Sequence, residues 1–310
     1  MLRQQPTSRI VLSVWFAVAV ATLATSVCLA QNKDKPSPTS RNVSYGPHER
    51  NVLDFWQAQS DQATPLAIYI HGGGFRNGSK DSINADMLRA LLEAQISVAA
   101  LNYRLIDQAP LPAAHHDCRR ALQFLRSKSE AWRVDKTRVG AFGGSAGAQL
   151  CMYLAFHDEM AQPDGDDPIE RESTRLTCIA TNGGQTTMDV DWWTQHIPDY
   201  TAPHRDFLEV FAATTQAEFQ QTLRDVSALS LITKDDPPIF MSYIMPPDDP
   251  VPSNPEQARR WKVHHVAFGI ELHERMDALG IEADLDYPGA TTNYRSPAEF
   301  IIAKLNQPTK

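Results

Sequence analysis

The chain has 310 residues, a formal net charge of −8 and 21% charged residues, which suits one large α/β domain with processing segments. The acidic balance speaks against nucleic acid or an anionic membrane surface as partner, because both recruit clustered Lys and Arg. Of its four cysteines, Cys28 falls in the leading segment, and the remaining Cys118, Cys151 and Cys178, odd in number and widely spaced, give no disulfide framework; Cys151 and Cys178 read as buried thiols.

Residues 1–30 have the layout of a secretory signal peptide. Arg3 and Arg9 form a basic front, Ile10 to Ala24 is largely apolar, and Cys28-Leu29-Ala30 gives a small-residue cleavage context. This predicts a secreted or periplasmic protein; the alternative is an uncleaved N-terminal membrane anchor, and no later segment could span a bilayer. Arg3 and Arg9 are the only charges removed with the signal, so the formal charge goes from −8 to −10. Residues 31–42, polar with Pro36 and Pro38, read as a disordered leader, and 43–310 as the folded domain.

Val43 to Tyr45 and Asn51 to Phe55 predict two opening strands around a Gly-Pro turn. The apolar run Leu66 to Ile70 predicts a buried strand, followed at once by His71-Gly72-Gly73-Gly74-Phe75. Met87, Leu88, Leu91 and Leu92 recur at helical spacing, Ile96 to Leu101 predicts a strand, and Ala121, Leu122 and Leu125 a helix. Arg138 to Phe142 is strand-like and leads through Gly143-Gly144-Ser145-Ala146-Gly147 into a helical run from Ala148 to Phe156. Further strands are expected at Leu176 to Thr181 and Pro238 to Tyr243. Phe268, Leu272, Met276 and Leu279 mark a helix stopped by Gly280, and Ile281 to Tyr287 alternates as an edge strand. Ser296-Pro297-Ala298-Glu299 predicts a capping box opening a last helix. Strands alternating with helices imply a mostly parallel sheet with helices on both faces. Residues 183–235, with Trp192-Trp193, Tyr200 and a polar helix from Gln216 to Val226, break that rhythm and read as a small helical cap or a flanking excursion.

A G-x-S-x-G at a strand-to-helix junction is the setting in which a serine becomes a nucleophile, and three glycines after an earlier strand leave backbone N–H groups open to an oxyanion. On these two motifs, in this order, the chain resembles the α/β-hydrolase superfamily, in its HGGG-type esterase/lipase branch (feruloyl/acetyl esterase-like). Asn102-Tyr103-Arg104-Leu105, Val134 to Val139 and Tyr287-Pro288-Gly289-Ala290 extend the likeness over most of the chain. The resemblance implies an eight-stranded-type sheet, Ser145 as nucleophile, and N–H groups of Gly73, Gly74 and Ala146 as oxyanion hole. It also implies a histidine after the last strand, where this chain has Thr291-Thr292-Asn293-Tyr294. Threonine cannot serve as the base, since its hydroxyl accepts no proton near neutral pH.

His264 is therefore the expected base, with His265 as the second choice, both placed at a helix start on the rim that carries Ser145. Asp248 or Asp249, or Asp189 after an earlier strand, would be the acid. His71 is read as structural, closing the glycine loop. His115-His116-Asp117-Cys118 looks metal-like, but neighbours at a helix start point apart, and Asp164, Asp166 and Asp167 lack calcium-loop spacing, so no metal and no organic cofactor is expected. The expected activity is hydrolysis of a small-molecule or polysaccharide acyl ester, with Trp192, Trp193 and Trp261 read either as core packing or as stacking surfaces for a sugar or aryl group. The competing readings are a hydrolase-fold binding protein without catalysis and a peptidase.

Overall fold

A computed structural model describes residues 35–307. The signal peptide and the first part of the leader lie outside the described residues. Among the described residues, those from Pro38 onward group as one compact unit. Eight strands, β1 (Ser40–Ser44), β2 (Val52–Trp56), β3 (Thr64–Ile70), β4 (Ser97–Leu101), β5 (Val134–Gly144), β6 (Cys178–Asn182), β7 (Ile239–Ser242) and β8 (Ala283–Asp286), form one sheet in the order β1-β2-β4-β3-β5-β6-β7-β8. β2 pairs antiparallel with both β1 and β4; every other pair is parallel. This is the α/β-hydrolase architecture the motifs implied, with β8 at an edge as its alternation suggested. One boundary moves: β1 starts at Ser40, inside the stretch read as leader to residue 42. Its pairing with β2 satisfies backbone groups that composition alone left unassigned.

The helices are α1 (Ala85–Glu93), α2 (Ala113–Ser127), α3 (Ala146–Phe156), α4 (Val190–His196), α5 (Phe207–Phe211), α6 (Gln216–Val226), α7 (Ala228–Leu231), α8 (Pro255–Val263), α9 (Ala267–Leu279) and α10 (Pro297–Leu305). The central strands read as unbroken apolar runs because both of their faces are covered. Leu66, Ile68 and Ile70 of β3 join the core under α2, α3 and α9, while Ala67 joins the opposite layer with Leu88, Leu91 and Phe300 from α1 and α10. Every residue of α3 is buried, which explains why its sequence shows no polar face. Cys118, Cys151 and Cys178 are free and buried, the last two as read, and burial pushes the Cys178 thiol up to about 12.

Gly280, at φ 74°, ends α9 in the left-handed conformation that only glycine adopts without cost. Ser296 caps α10 through Glu299 N–H, yet the Glu299 carboxylate reaches back to Arg295 N–H instead of Ser296, so the expected box is half formed. A complete box opens α6 at Thr215 and Glu218. Residues 183–235 carry α4 to α7. Trp193, Phe207, Phe211, Phe219 and Leu223 anchor the segment in the main core, and residues 204–206 wall a cleft above Ser145. Among the described residues no helix is long and apolar enough to cross a membrane.

Candidate active site

Ser145 sits between β5 and α3 at φ 53°, ψ −120°, a conformation that costs a non-glycine residue on the order of 1–3 kcal/mol. The glycines around it are demanded by close backbone approach. A Cβ on Gly143 would lie 2.4 Å from the Ile70 carbonyl oxygen, and one on Gly147 would lie 2.1 Å from the same atom. The turn thus lies against the end of β3, where His71 to Gly74 begin.

That glycine loop is braced from beneath. The His71 ring stacks on Tyr103 at 4.2 Å, its Nδ1 faces the Gly72 carbonyl at 2.7 Å, and the Tyr103 hydroxyl donates to the His71 carbonyl. Arg50 donates to the carbonyls of Tyr103 and Gly78. Burial is the main reason His71 is lowered to about 4, so it is a neutral strut, as its reading as structural required. Gly73 and Gly74 adopt φ 109° and 60°, and a Cβ on Gly73 would strike the Asn77 carbonyl oxygen at 2.1 Å. The Gly73 carbonyl accepts from Arg76 and Asn77, and the Gly74 carbonyl from Arg205. Their own N–H groups have no acceptor among the described residues. Ala146 is the first residue of α3, so its N–H is one that no preceding turn can satisfy. Donors of this kind next to a serine hydroxyl can hold an oxyanion.

His264 Nε2 lies 2.9 Å from Ser145 Oγ. Its Nδ1 lies 2.9 Å from the backbone carbonyl of Arg260. A carbonyl can only accept, so Nδ1 carries the proton and Nε2 is left to accept from the serine. Burial, partly opposed by the carbonyl bond and helped by the Arg260 charge, lowers the His264 pKa below the usual 6.5, keeping the ring neutral at pH 7.

His264 is not at a helix start. Asn254 caps α8, with Pro255 at its first position, and His264 closes that helix as its C-cap before α9 begins. A capping signal, Asn254-Pro255-Glu256, was present in the sequence and marks this extra helix. The junction is tied down by Gln185 Nε2, which donates to the Val263 carbonyl. Gly183, at φ 53°, passes under the ring; a Cβ there would stand 3.3 Å from His264 Cδ2.

The remaining expected residues are elsewhere. His265 is buried beside Trp261; its Nδ1 accepts from Ala267 N–H and its Nε2 has no partner, so it does not reach Ser145. Asp249 accepts from the Trp261 indole N–H at 2.8 Å, Asp248 is exposed, and Asp189 caps α4 through Asp191 N–H. None of the three carboxylates is bonded to His264, because the C-cap geometry turns Nδ1 back onto its own helix. What sequence reasoning missed is the Arg260 carbonyl, which no residue type announces. The turn after β8 is occupied otherwise: Asn293 donates from both its backbone and its side chain to Asp284.

Two clefts meet at Ser145 and His264. One, about 740 Å³, lies on the side of Gly73, Gly74 and Ala146 and is walled by residues 204–206 and α8. The other, about 590 Å³, is apolar, lined by Tyr243, Met245, Trp261 and the 81% exposed Ile244. Of the three tryptophans considered for stacking, Trp261 lines the apolar cleft and Trp193 the larger one, while Trp192 packs on Phe268 and His196. Among the described residues no three His, Cys, Asp or Glu side chains group as a metal site; His115 is buried against Phe75 and Tyr153, and Asp117 is held by Arg104.

The BD-FAE family profile matches residues 53–256, a span that contains the glycine loop and Ser145 and stops short of His264. Among curated proteins, a probable carboxylesterase of Arabidopsis thaliana is 33% identical over 103 residues, 32% of this chain and 33% of that protein. Ethyl acetate hydrolase of Pseudomonas putida is 35% identical over 135 residues, 42% of each chain. The chain thus matches only a third to two-fifths of the length of these relatives. Among solved structures, a truncated carbohydrate esterase from gut microbiota superposes with a TM-score of 0.68 at 19% identity, covering 88% of this chain and 98% of that one. An acetyl ester-xyloside bifunctional hydrolase from Caldicellulosiruptor lactoaceticus gives 0.55 at 20% identity, covering 76% and 77%. At such identities these two show the fold.

Proposed function

This chain belongs to the BD-FAE family of α/β-hydrolase esterases, and from that premise we propose that it is a secreted serine hydrolase of carboxylic esters, acting on short-chain or carbohydrate acyl esters. The observation that carries the reading is the 2.9 Å approach of His264 Nε2 to Ser145 Oγ. A serine at its free pKa is a weak nucleophile and needs such a base.

Ser145 Oγ attacks the acyl carbon as its proton passes to His264 Nε2. The imidazolium so formed donates its Nδ1–H to the Arg260 carbonyl, which takes the place a carboxylate holds in a Ser-His-Asp arrangement. N–H groups of Gly73, Gly74 and Ala146 receive the oxyanion. Collapse breaks the bond to the alcohol, which leaves with the proton from His264. Water, deprotonated by His264, then attacks the acyl-serine and releases the carboxylic acid. The names of the relatives and of the structural neighbours, among them esterases of ethyl acetate and of carbohydrates, support the substrate class.

A fluorophosphonate probe should label Ser145 in the purified protein, with p-nitrophenyl acetate hydrolysed in parallel. Ser145→Ala should abolish both, and His264→Ala should lower kcat by about 10⁴–10⁶. No labelling and no turnover in a folded protein would instead leave a binding protein on a hydrolase scaffold. Secretion is tested by the mature N-terminus: removal of residues 1–30 supports it, and a retained Met1 in a membrane fraction points to the anchor.

A further inference from the structure

The larger cleft carries a charge pattern that plain ester hydrolysis does not require. Arg76 enters it from the glycine loop, Arg205 from residues 204–206, and Arg259 from α8. Among the described residues none of the three is ion-paired. The fourth cation on the wall, Arg260, is paired with Glu256, and the one carboxylate, Asp206, caps α5 through Glu209 N–H.

Arg205 is the most informative member. It is half-buried, donating from Nη1 to the Gly74 carbonyl and from Nε to His204 Nε2. His204 is fixed in turn by the Tyr200 hydroxyl at its Nδ1 and is lowered to about 4, first by burial and then by Arg205 and Arg259, so it is a neutral support. Burial, then the charges of the exposed Arg76 and later Arg259, also lowers Arg205 itself. A partly desolvated guanidinium is normally matched by an anion, because leaving one unmatched costs several kcal/mol. Among the described residues no carboxylate is ion-paired with Arg205, in a chain whose net charge is −8. Three separate segments bring cations to one cleft beside the serine, so the cleft attracts negative charge against the overall sign of the molecule.

Resting on the esterase reading, we propose that the Arg76–Arg205–Arg259 cleft is an anion-accepting subsite and that the preferred ester carries a carboxylate. That carboxylate belongs either to the acyl group, as in a dicarboxylic half-ester, or to the alcohol, as in an acylated sugar acid. Arg76 and Arg259, whose side chains are not engaged among the described residues, supply the donors, and Arg205, with Nε and Nη1 already taken, adds its charge from the cleft wall.

Two matched pairs separate the sources. Phenyl hemisuccinate against phenyl butyrate places the carboxylate on the acyl side; an acetylated methyl glucuronide against the acetylated methyl glucoside places it on the alcohol side. In one pair, kcat/KM for the anionic ester should exceed that of its neutral partner by about tenfold or more, the scale of one or two charged hydrogen bonds. The ratio should shrink in 1 M salt and fall to within about twofold of unity in the Arg76→Gln/Arg259→Gln double variant. Ratios near unity in both pairs, or a preference that the double variant retains, would overturn the proposal. Calorimetry of Ser145→Ala with glucuronate- and glucose-based ligands reads the same preference without turnover. A protein that hydrolyses nothing but still favours the glucuronate ligand would sink the esterase reading and keep the anion site, whereas hydrolysis without anion preference would do the reverse.

Discussion

If the Arg260 carbonyl alone orients His264, Asp249→Asn should be close to silent in catalysis. In a serine hydrolase whose histidine leans on a carboxylate, converting that carboxylate to an amide lowers kcat by about 10⁴, because the ring is held in the wrong tautomer. Here Asp249 bonds the Trp261 indole at 2.8 Å, the charge it exerts is felt by His265, and His264 Nδ1 is already engaged at 2.9 Å. The amide oxygen of asparagine can still accept from the indole, so the stability cost is that of a charged acceptor becoming neutral, about 1 kcal/mol. The tautomer of His264 is untouched, and kcat should fall by less than about tenfold, one pK unit of lost field at most. Steady-state hydrolysis of p-nitrophenyl acetate, with thermal melts as a check on folding, measures both. The acid limb of the pH profile should stay below 6.5 in wild type and variant alike, since the base works when neutral and its pKa is depressed. A fall of 10³ or more in a protein that melts normally would refute a carbonyl-supported dyad and restore Asp249 to the acid position.

Arg260→Ala keeps the carbonyl but removes a cation that lowers His264, so the acid limb should move slightly to higher pH; a downward move would contradict the assignment. Ser145→Gly should abolish turnover yet raise the melting temperature by about 2–4 °C, because glycine tolerates φ 53° where serine is strained by roughly 1 kcal/mol. Asp54→Ala strips the buried Lys80, 3.0 Å away, of its main partner and should destabilise the fold by about 3–5 kcal/mol in urea titrations. His71 and His115 are lowered by burial to about 4 and about 3, so below pH 6.5 the unfolded chain binds protons that the fold does not. Stability present near neutral pH should therefore decline as pH falls from about 6.5 towards 4; melts that are flat over that window would show these imidazoles to be solvated.

The sheet and its central motifs were legible because their causes are local. Leu66 to Ile70 is apolar at every position since β3 is covered on both faces, and Gly143 and Gly147 are glycines since the Ile70 carbonyl leaves no room for a Cβ. Where α9 stops at Gly280 and α6 opens at Thr215 also follows from short-range capping chemistry. The strand β1 was less visible, as its residues are mostly exposed and only the pairing with β2 defines it.

The amino-acid order by itself determined the alternation of elements, the strained serine and the glycine loop, each the product of backbone sterics and burial within a few residues. Which imidazole meets Ser145, and what steadies it, was decided only in three dimensions. His264 and His265 are adjacent and chemically identical in the chain, yet the C-cap of α8 turns one toward the serine and the other into the core beside Trp261. The group behind His264 is a main-chain carbonyl, common to every residue and so invisible to any pattern of side chains. The convergence of Arg76, Arg205 and Arg259 is likewise a tertiary fact, because 183 residues separate the first of these cations from the last and only the folded cleft joins them.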